Sequence, residues 1–151
     1  MILGNNLGEI LGDTQRDSAG DGSTLDDLFR RAGVRRPEAL ALIDPPNRES
    51  FTDGAPRSLS YAQADRAISG FAAYLRRLGL ATDTVVGLQL PNTVEGVIAL
   101  LGVLRARLIV APLPLLWRKQ EMVDALGRIG AKAIVTTARI RDSAHAELAM
   151  Q

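Results

Sequence analysis

Residues 84–115 read TVVGLQLPNTVEGVIALLGVLRARLIVAPLPL, and the apolar pattern changes period twice within them. TVVGLQL (84–90) is rich in β-branched residues and is stopped by Pro91, the signature of a buried strand. Asn92 and Glu95 have the spacing of a helix cap and its third-position partner. From Thr93 to about Arg105 only Glu95 is charged before Arg105, while Val94, Val97, Ile98, Leu101 and Leu104 are apolar, so this helix needs cover on most sides. Leu108 to Leu113 is a second buried strand. Strand, helix and strand joined by short connections form the unit of a parallel sheet.

The same alternation continues outward. Downstream, Arg118 to Ile129 is amphipathic with Met122, Leu126 and Ile129 inward, Gly130 ends it, Ala133 to Thr136 is a third strand, and a last helix starts near Asp142. Upstream, Ser60 and Gln63 form a capping box ahead of a helix whose apolar stripe is Ala64, Ile68, Phe71, Ala72, Leu75 and Leu78, with Gly79 at the αL stop. Ala39 to Ile43 reads as a short strand ended by Asp44-Pro45-Pro46, and Asn47 to Arg57 as a polar loop. Ser23 and Thr24 cap a short helix that ends near Gly33, with Asp26 and Asp27 in its first turn, where the helix dipole favours acids. The fold class is α/β, a mainly parallel sheet with helices on both faces. Sandwiches and barrels are disfavoured because no strands follow one another through two-residue turns.

Length and composition agree with one folded, soluble domain: 151 residues with 46% hydrophobic and 23% charged residues are too few for two cores and too apolar for disorder. The 18 basic and 17 acidic residues nearly cancel, so no charge field points to nucleic acid. The absence of cysteine removes thiol chemistry and disulfides and fits a cytoplasmic protein, and the single histidine, His145, has no acid-base neighbours and is given no role. The apolar runs fall well short of the roughly 18 residues of a membrane span. Residues 1–23 carry four acids and one base around the Gly, Asp and Ser-rich stretch GDTQRDSAGDGS, which reads as a flexible acidic tail ahead of the domain at 24–151.

Four blocks carry a resemblance: TLDDLFRRAGVRRPEALALID (24–44), SLSYAQADRAISGFAAYLRRLGL (58–80), TVVGLQLPNTVEGVIALLGVLRA (84–106) and VAPLPLLWRKQEMVDALGRIGAKAIVTT (110–137). In order and spacing they resemble the opening of the AMP-forming adenylating enzymes, the superfamily of acyl-CoA synthetases, luciferases and nonribosomal peptide adenylation domains. The resemblance implies an acid-thiol ligase in which a carboxylate attacks the α-phosphate of ATP, pyrophosphate leaves and the acyl group passes to coenzyme A. It implies ATP, Mg²⁺ and coenzyme A for the complete enzyme and none for this chain, because the family's phosphate loop, metal ligand and catalytic Lys follow the strand matched by Ala133 to Thr136. The two lysines here, Lys119 and Lys132, follow no Gly-rich turn. The chain is therefore expected to be an incomplete N-terminal portion, inactive alone, with no catalytic or metal residue. It is expected to pair with the remainder of a synthetase or, as an alternative, to act as a free-standing module that self-associates through exposed apolar surface.

Two departures from the family pattern stand out. Arg105-Ala106-Arg107 replaces the usual Arg-Ala-Gly, removing the residue suited to an αL helix end. Pro114 replaces the usual Asn or Asp after the second strand, so that position has no side-chain hydrogen bond to give. In coenzyme A-using relatives this loop adjoins the channel for the pantetheine arm, which makes Pro114, Trp117 and Arg118 candidates for a channel wall. The alternative is that Trp117 packs on the next helix and Arg118 is a solvated first-turn residue.

The pattern also separates core from surface. Leu101→Asp is expected to abolish soluble folding, because burying an unpaired carboxylate costs several kcal/mol, whereas Arg76→Glu costs about 0.5 kcal/mol or less. Melting temperatures of the two variants check the assignment.

Overall fold

The computed structural model describes residues 23–141. The acidic tail, the helix expected from Asp142 and His145 lie outside them. The described elements are α1 (Leu25–Arg35), β1 (Leu40–Ile43), a single 3-10 turn (Arg48–Ser50), β2 (Ser58–Ser60), α2 (Tyr61–Arg77), β3 (Val85–Gln89), α3 (Val94–Arg105), β4 (Ile109–Pro112), α4 (Lys119–Arg128) and β5 (Ala133–Thr136). β1 and β2 form a small antiparallel ribbon, and the other three strands form a parallel sheet in the order β4-β3-β5.

Strand alternation explains why both faces of the parallel sheet are covered. Val86 and Leu88 point to one face, where they join Ala72 and Leu75 of α2 and Ala99 and Val103 of α3 in the core. Gly87 points to the other, and a Cβ there would come within 2.7 Å of Leu126 of α4 and 3.2 Å of Leu113. A larger residue at 87 would force the Leu126 and Leu113 side chains to shift. A second close approach joins α2 and α3, where a Cβ on Gly102 would sit 2.6 Å from the Phe71 ring.

Helix starts follow local chemistry in two cases and not in the third. Thr24 and Asp27 form a reciprocal capping box, as do Ser60 and Gln63. The pair Asn92 and Glu95 does not: the N-cap of α3 is Thr93, with no side-chain cap bond, and the Val94 N–H is taken by Asp44, 50 residues earlier. Glu95 instead binds Arg48 and Arg57.

Other expectations are corrected at element edges. α1 continues two residues past Gly33, which packs helically against Tyr61. Leu78 and Ile129 lie at helix ends beyond the last buried turn and are 53% and 45% exposed. The supposed polar loop at 47–57 contains the buried Arg48. β2 is three residues long, too short for any periodic signal, and exists through its pairing with β1.

The missing αL glycine is answered by Arg107 itself, which adopts φ 62 just past α3, donates to the Leu104 carbonyl and accepts from the Asp83 N–H. An L-residue there costs about 1–2 kcal/mol in left-handed strain, partly offset by glycine's greater unfolded-state freedom. Arg107→Gly is expected to stabilise the chain by about 0.5–1 kcal/mol. A higher urea midpoint at unchanged slope checks this.

Candidate functional site

β3 and β4 are neighbours whose outgoing connections leave to opposite faces, β3 into α3 and β4 into α4. Ligand crevices of open parallel sheets form outside the carboxyl ends of strands at such a divergence. An open cleft of about 1410 Å³ lies there, lined by Leu90 and Pro91 after β3, by Leu113, Pro114 and Leu115 after β4, and by α1 through Leu25 and Leu28. Phe29 and Tyr61, with ring centroids 5.2 Å apart, pack α1 to the start of α2 along its edge. The lining is predominantly apolar, with Asn47, Ser50, Tyr61, Asn92, Thr93 and Arg141 carrying its polar side-chain groups.

The rim beside this cleft is held by a charge network around Asp44. Its side chain has no exposed surface. Oδ1 accepts from the Val94 N–H at 2.7 Å, and Oδ2 accepts from the Arg57 N–H at 2.9 Å and from Arg48 Nη1 at 2.6 Å. Arg48 in turn grips both Glu95 oxygens, at 2.9 and 2.8 Å, and the Asp53 carbonyl. Arg57 also pairs with Glu95. Burial alone would raise the Asp44 carboxyl, but the Val94 N–H, the Arg48 guanidinium and the Arg57 N–H outweigh it and hold the group below its usual value of 3.8.

The chain after β5 closes the rim from the other side. Arg141 N–H donates to the Phe51 carbonyl, Thr52 Oγ1 donates to the Arg139 carbonyl at 3.0 Å, Arg139 pairs with Asp53 at 2.8 Å, and Ile140 is buried.

The three candidate wall residues separate. Pro114 lines the cleft. Trp117 lies in the same turn, half-buried, and its backbone carbonyl accepts from the side chain of Gln89. Arg118 is exposed and begins α4, its N–H donating to Glu121. Sequence reasoning missed Asp44, read as a strand stop, and Gln89, whose signal was a lone amide inside an apolar strand. Among the described residues no group of three His, Asp or Glu side chains converges to hold a metal ion, and Arg141 is the one basic side chain lining the cleft. The described lining thus has no carboxylate to hold Mg²⁺ and a single cation to meet a triphosphate, so by itself it does not fit either group.

A family model for AMP-binding enzymes matches residues 29–151. The chain is 30% identical over 113 residues, 75% of its length, to a beauvericin nonribosomal cyclodepsipeptide synthetase of Gibberella fujikuroi, of which it covers 3%. It is 32% identical over 114 residues, 76% of its length, to long-chain fatty acid transport protein 1 of Homo sapiens, of which it covers 16%. Among solved structures it resembles a Mycobacterium tuberculosis fatty acyl CoA synthetase, with TM-score 0.64 and 22% identity over 74% of this chain and 20% of that one. It also resembles the Klebsiella oxytoca NpsA N-terminal subdomain in complex with anthranilyl-AMSN, with TM-score 0.62 and 20% identity over 74% of this chain and 27% of that one. The chain thus spans a small part of each of these proteins.

The Asp44 network generates a prediction with a definite pH sign. A carboxylate whose folded pKa is depressed contributes stability above its unfolded pKa, and that contribution is lost as pH falls through the folded value. Asp44→Ala is expected to cost about 3 kcal/mol at neutral pH. The wild type is expected to lose this difference below about pH 4. Urea titrations of both proteins between neutral and acid pH check this: the two stability curves should converge on acidification.

Proposed function

Because this chain belongs to the AMP-binding enzyme family, we propose that it supplies the N-terminal sheet and one cleft wall of an adenylate-forming ligase that converts a carboxylate, ATP and coenzyme A to acyl-CoA, AMP and pyrophosphate. The observation that carries the proposal is the cleft at the divergence of β3 and β4, whose lining lies, apart from Leu25 and Leu28, within the residues the family model matches. The described lining offers mainly apolar surface, with Arg141 as its one basic side chain, so its part in the reaction is support. α3 and the Pro112–Leu115 segment shape the wall. Pro114, rigid and without an N–H, presents an apolar face along which a pantetheine arm can lie. Charge stabilisation of the adenylation step belongs to residues elsewhere in the complete enzyme, as does the binding of ATP and Mg²⁺.

Relatives of two kinds frame the acceptor. The similarity to nonribosomal synthetases is compatible with transfer to a carrier-bound thiol, and the similarity to a fatty acyl CoA synthetase with transfer to free coenzyme A. A second reading, a module that pairs with itself or with a separately encoded partner, is favoured by the apolar wall itself, where Leu25 and Leu28 are 55% and 54% exposed.

One experiment tests both readings. Carboxylate-dependent exchange of labelled pyrophosphate into ATP is expected to be absent from the 151-residue chain and present in the whole polypeptide of its reading frame, which should then form a thioester with coenzyme A. Exchange by the 151 residues alone overturns the supporting role. Exchange gained only on mixing with a separately encoded protein favours the module.

A further inference from the structure

Gln89 is the last residue of the central strand β3, is 0% exposed, and is the only polar side chain in Val85–Gln89. An amide removed from water needs partners. Alternation along β3 puts it on the α4 face with Gly87, over the turn that links β4 to α4. There Nε2 donates to the Pro114 carbonyl at 3.1 Å and to the Trp117 carbonyl at 2.9 Å. The turn is closed by the Trp117 N–H to the Pro114 carbonyl at 3.2 Å, so one amide group holds both ends of it.

The chemistry of the segment makes that grip matter. Pro112 and Pro114 have no N–H, so residues 112–114 donate from the backbone only through Leu113, to the Leu88 carbonyl at 2.8 Å, and the turn beyond is gripped through its carbonyls. Leu116 at the tip is 86% exposed, so its side chain supplies no packing to anchor the turn. A side-chain NH₂ has two hydrogens, one for each carbonyl. Glutamate would offer only acceptors, methionine no donor, and asparagine one methylene less reach.

We propose that Gln89 is the positioning residue for the cleft wall, clamping residues 114–117 so that Pro114 is presented to the site; this rests on reading the cleft as a ligase site. Gln89 touches no substrate in this role and acts through the backbone of the turn.

Trp117 is the sole tryptophan of the chain and reports on the turn directly. In Gln89→Met, which keeps the side-chain length without the donors, acrylamide quenching of Trp117 is expected to rise about twofold with an unchanged far-UV circular dichroism spectrum. Chymotryptic cleavage within 115–117 should accelerate on the order of tenfold, the opening expected when one or two hydrogen bonds are lost. Quenching and cleavage at wild-type levels in a folded variant overturn the proposal. Should Gln89→Met not fold, hydrogen exchange of the wild type decides: a Trp117 amide protected like those of β3 supports the clamp, and one exchanging as an open loop overturns it. In the whole ligase the variant is expected to raise KM for coenzyme A several-fold and leave the pyrophosphate exchange rate unchanged. If the whole polypeptide makes no coenzyme A thioester while quenching and cleavage respond as expected, the ligase reading fails and the clamp stands.

Discussion

The fold depends on how α3 is held at its two ends. This helix is apolar nearly all round, so its own pattern cannot choose which side meets the sheet and which meets its neighbours. Its ends carry the choice. At the N-terminus the buried Asp44 carboxylate accepts from the Val94 N–H and ties the helix to the β1-β2 ribbon through Arg48 and Arg57. At the C-terminus Arg105 binds both oxygens of Asp26 in α1 and the Ser69 hydroxyl in α2. Asp65 lies 2.7 Å from the same guanidinium as an ion pair without hydrogen-bond alignment. An anion at the positive end and a cation at the negative end both match the helix dipole. Three helices and the β1-β2 ribbon are registered by these two long-range charge groups, and the apolar packing of Val86, Leu88, Ala99 and Val103 seats them on the parallel sheet.

This division of labour explains what could be read in the sequence. Elements whose signals are local were legible: the Ser60 and Gln63 box, the αL stop at Gly79, the Gly130 stop and the strand Ala133–Thr136 all stand where residue chemistry placed them. Elements that exist through distant partners were not. β2 forms because β1 lies beside it, and Arg48 is buried because Asp44 and Glu95 surround it. No local pattern distinguishes an aspartate that stops a strand from one that caps a helix 50 residues later. Leu78 and Ile129 continue their stripes beyond the point where the neighbouring element ends, so periodicity overstated their burial.

The site follows the same rule. Family and fold class were legible because they rest on the order of four packing blocks, and the family model matches from Phe29 onward. The wall was legible only as a segment. Pro114, Trp117 and Arg118 are adjacent in sequence, yet one faces the cleft, one offers its carbonyl to the strand below and one starts the next helix. A backbone turn separates their directions, and side-chain type does not encode that separation. The polar residue that organises them, Gln89, lies 25 positions before Pro114.

The strand order has a consequence for how this polypeptide is made. β3 is central, but one of its neighbours, β4, arrives one helix later and the other, β5, only after a further helix. A chain emerging from the ribosome N-terminus first therefore completes the ladder last at the β3-β5 edge, through pairings such as Val86 with Ala133. Until residues 133–136 are released, the most buried of the described strands keeps an open edge, and non-local pairing of this kind is slow relative to helix formation. Synthesis pauses before that point prolong the exposure of a strand able to pair with another copy, and rapid delivery of β5 shortens it.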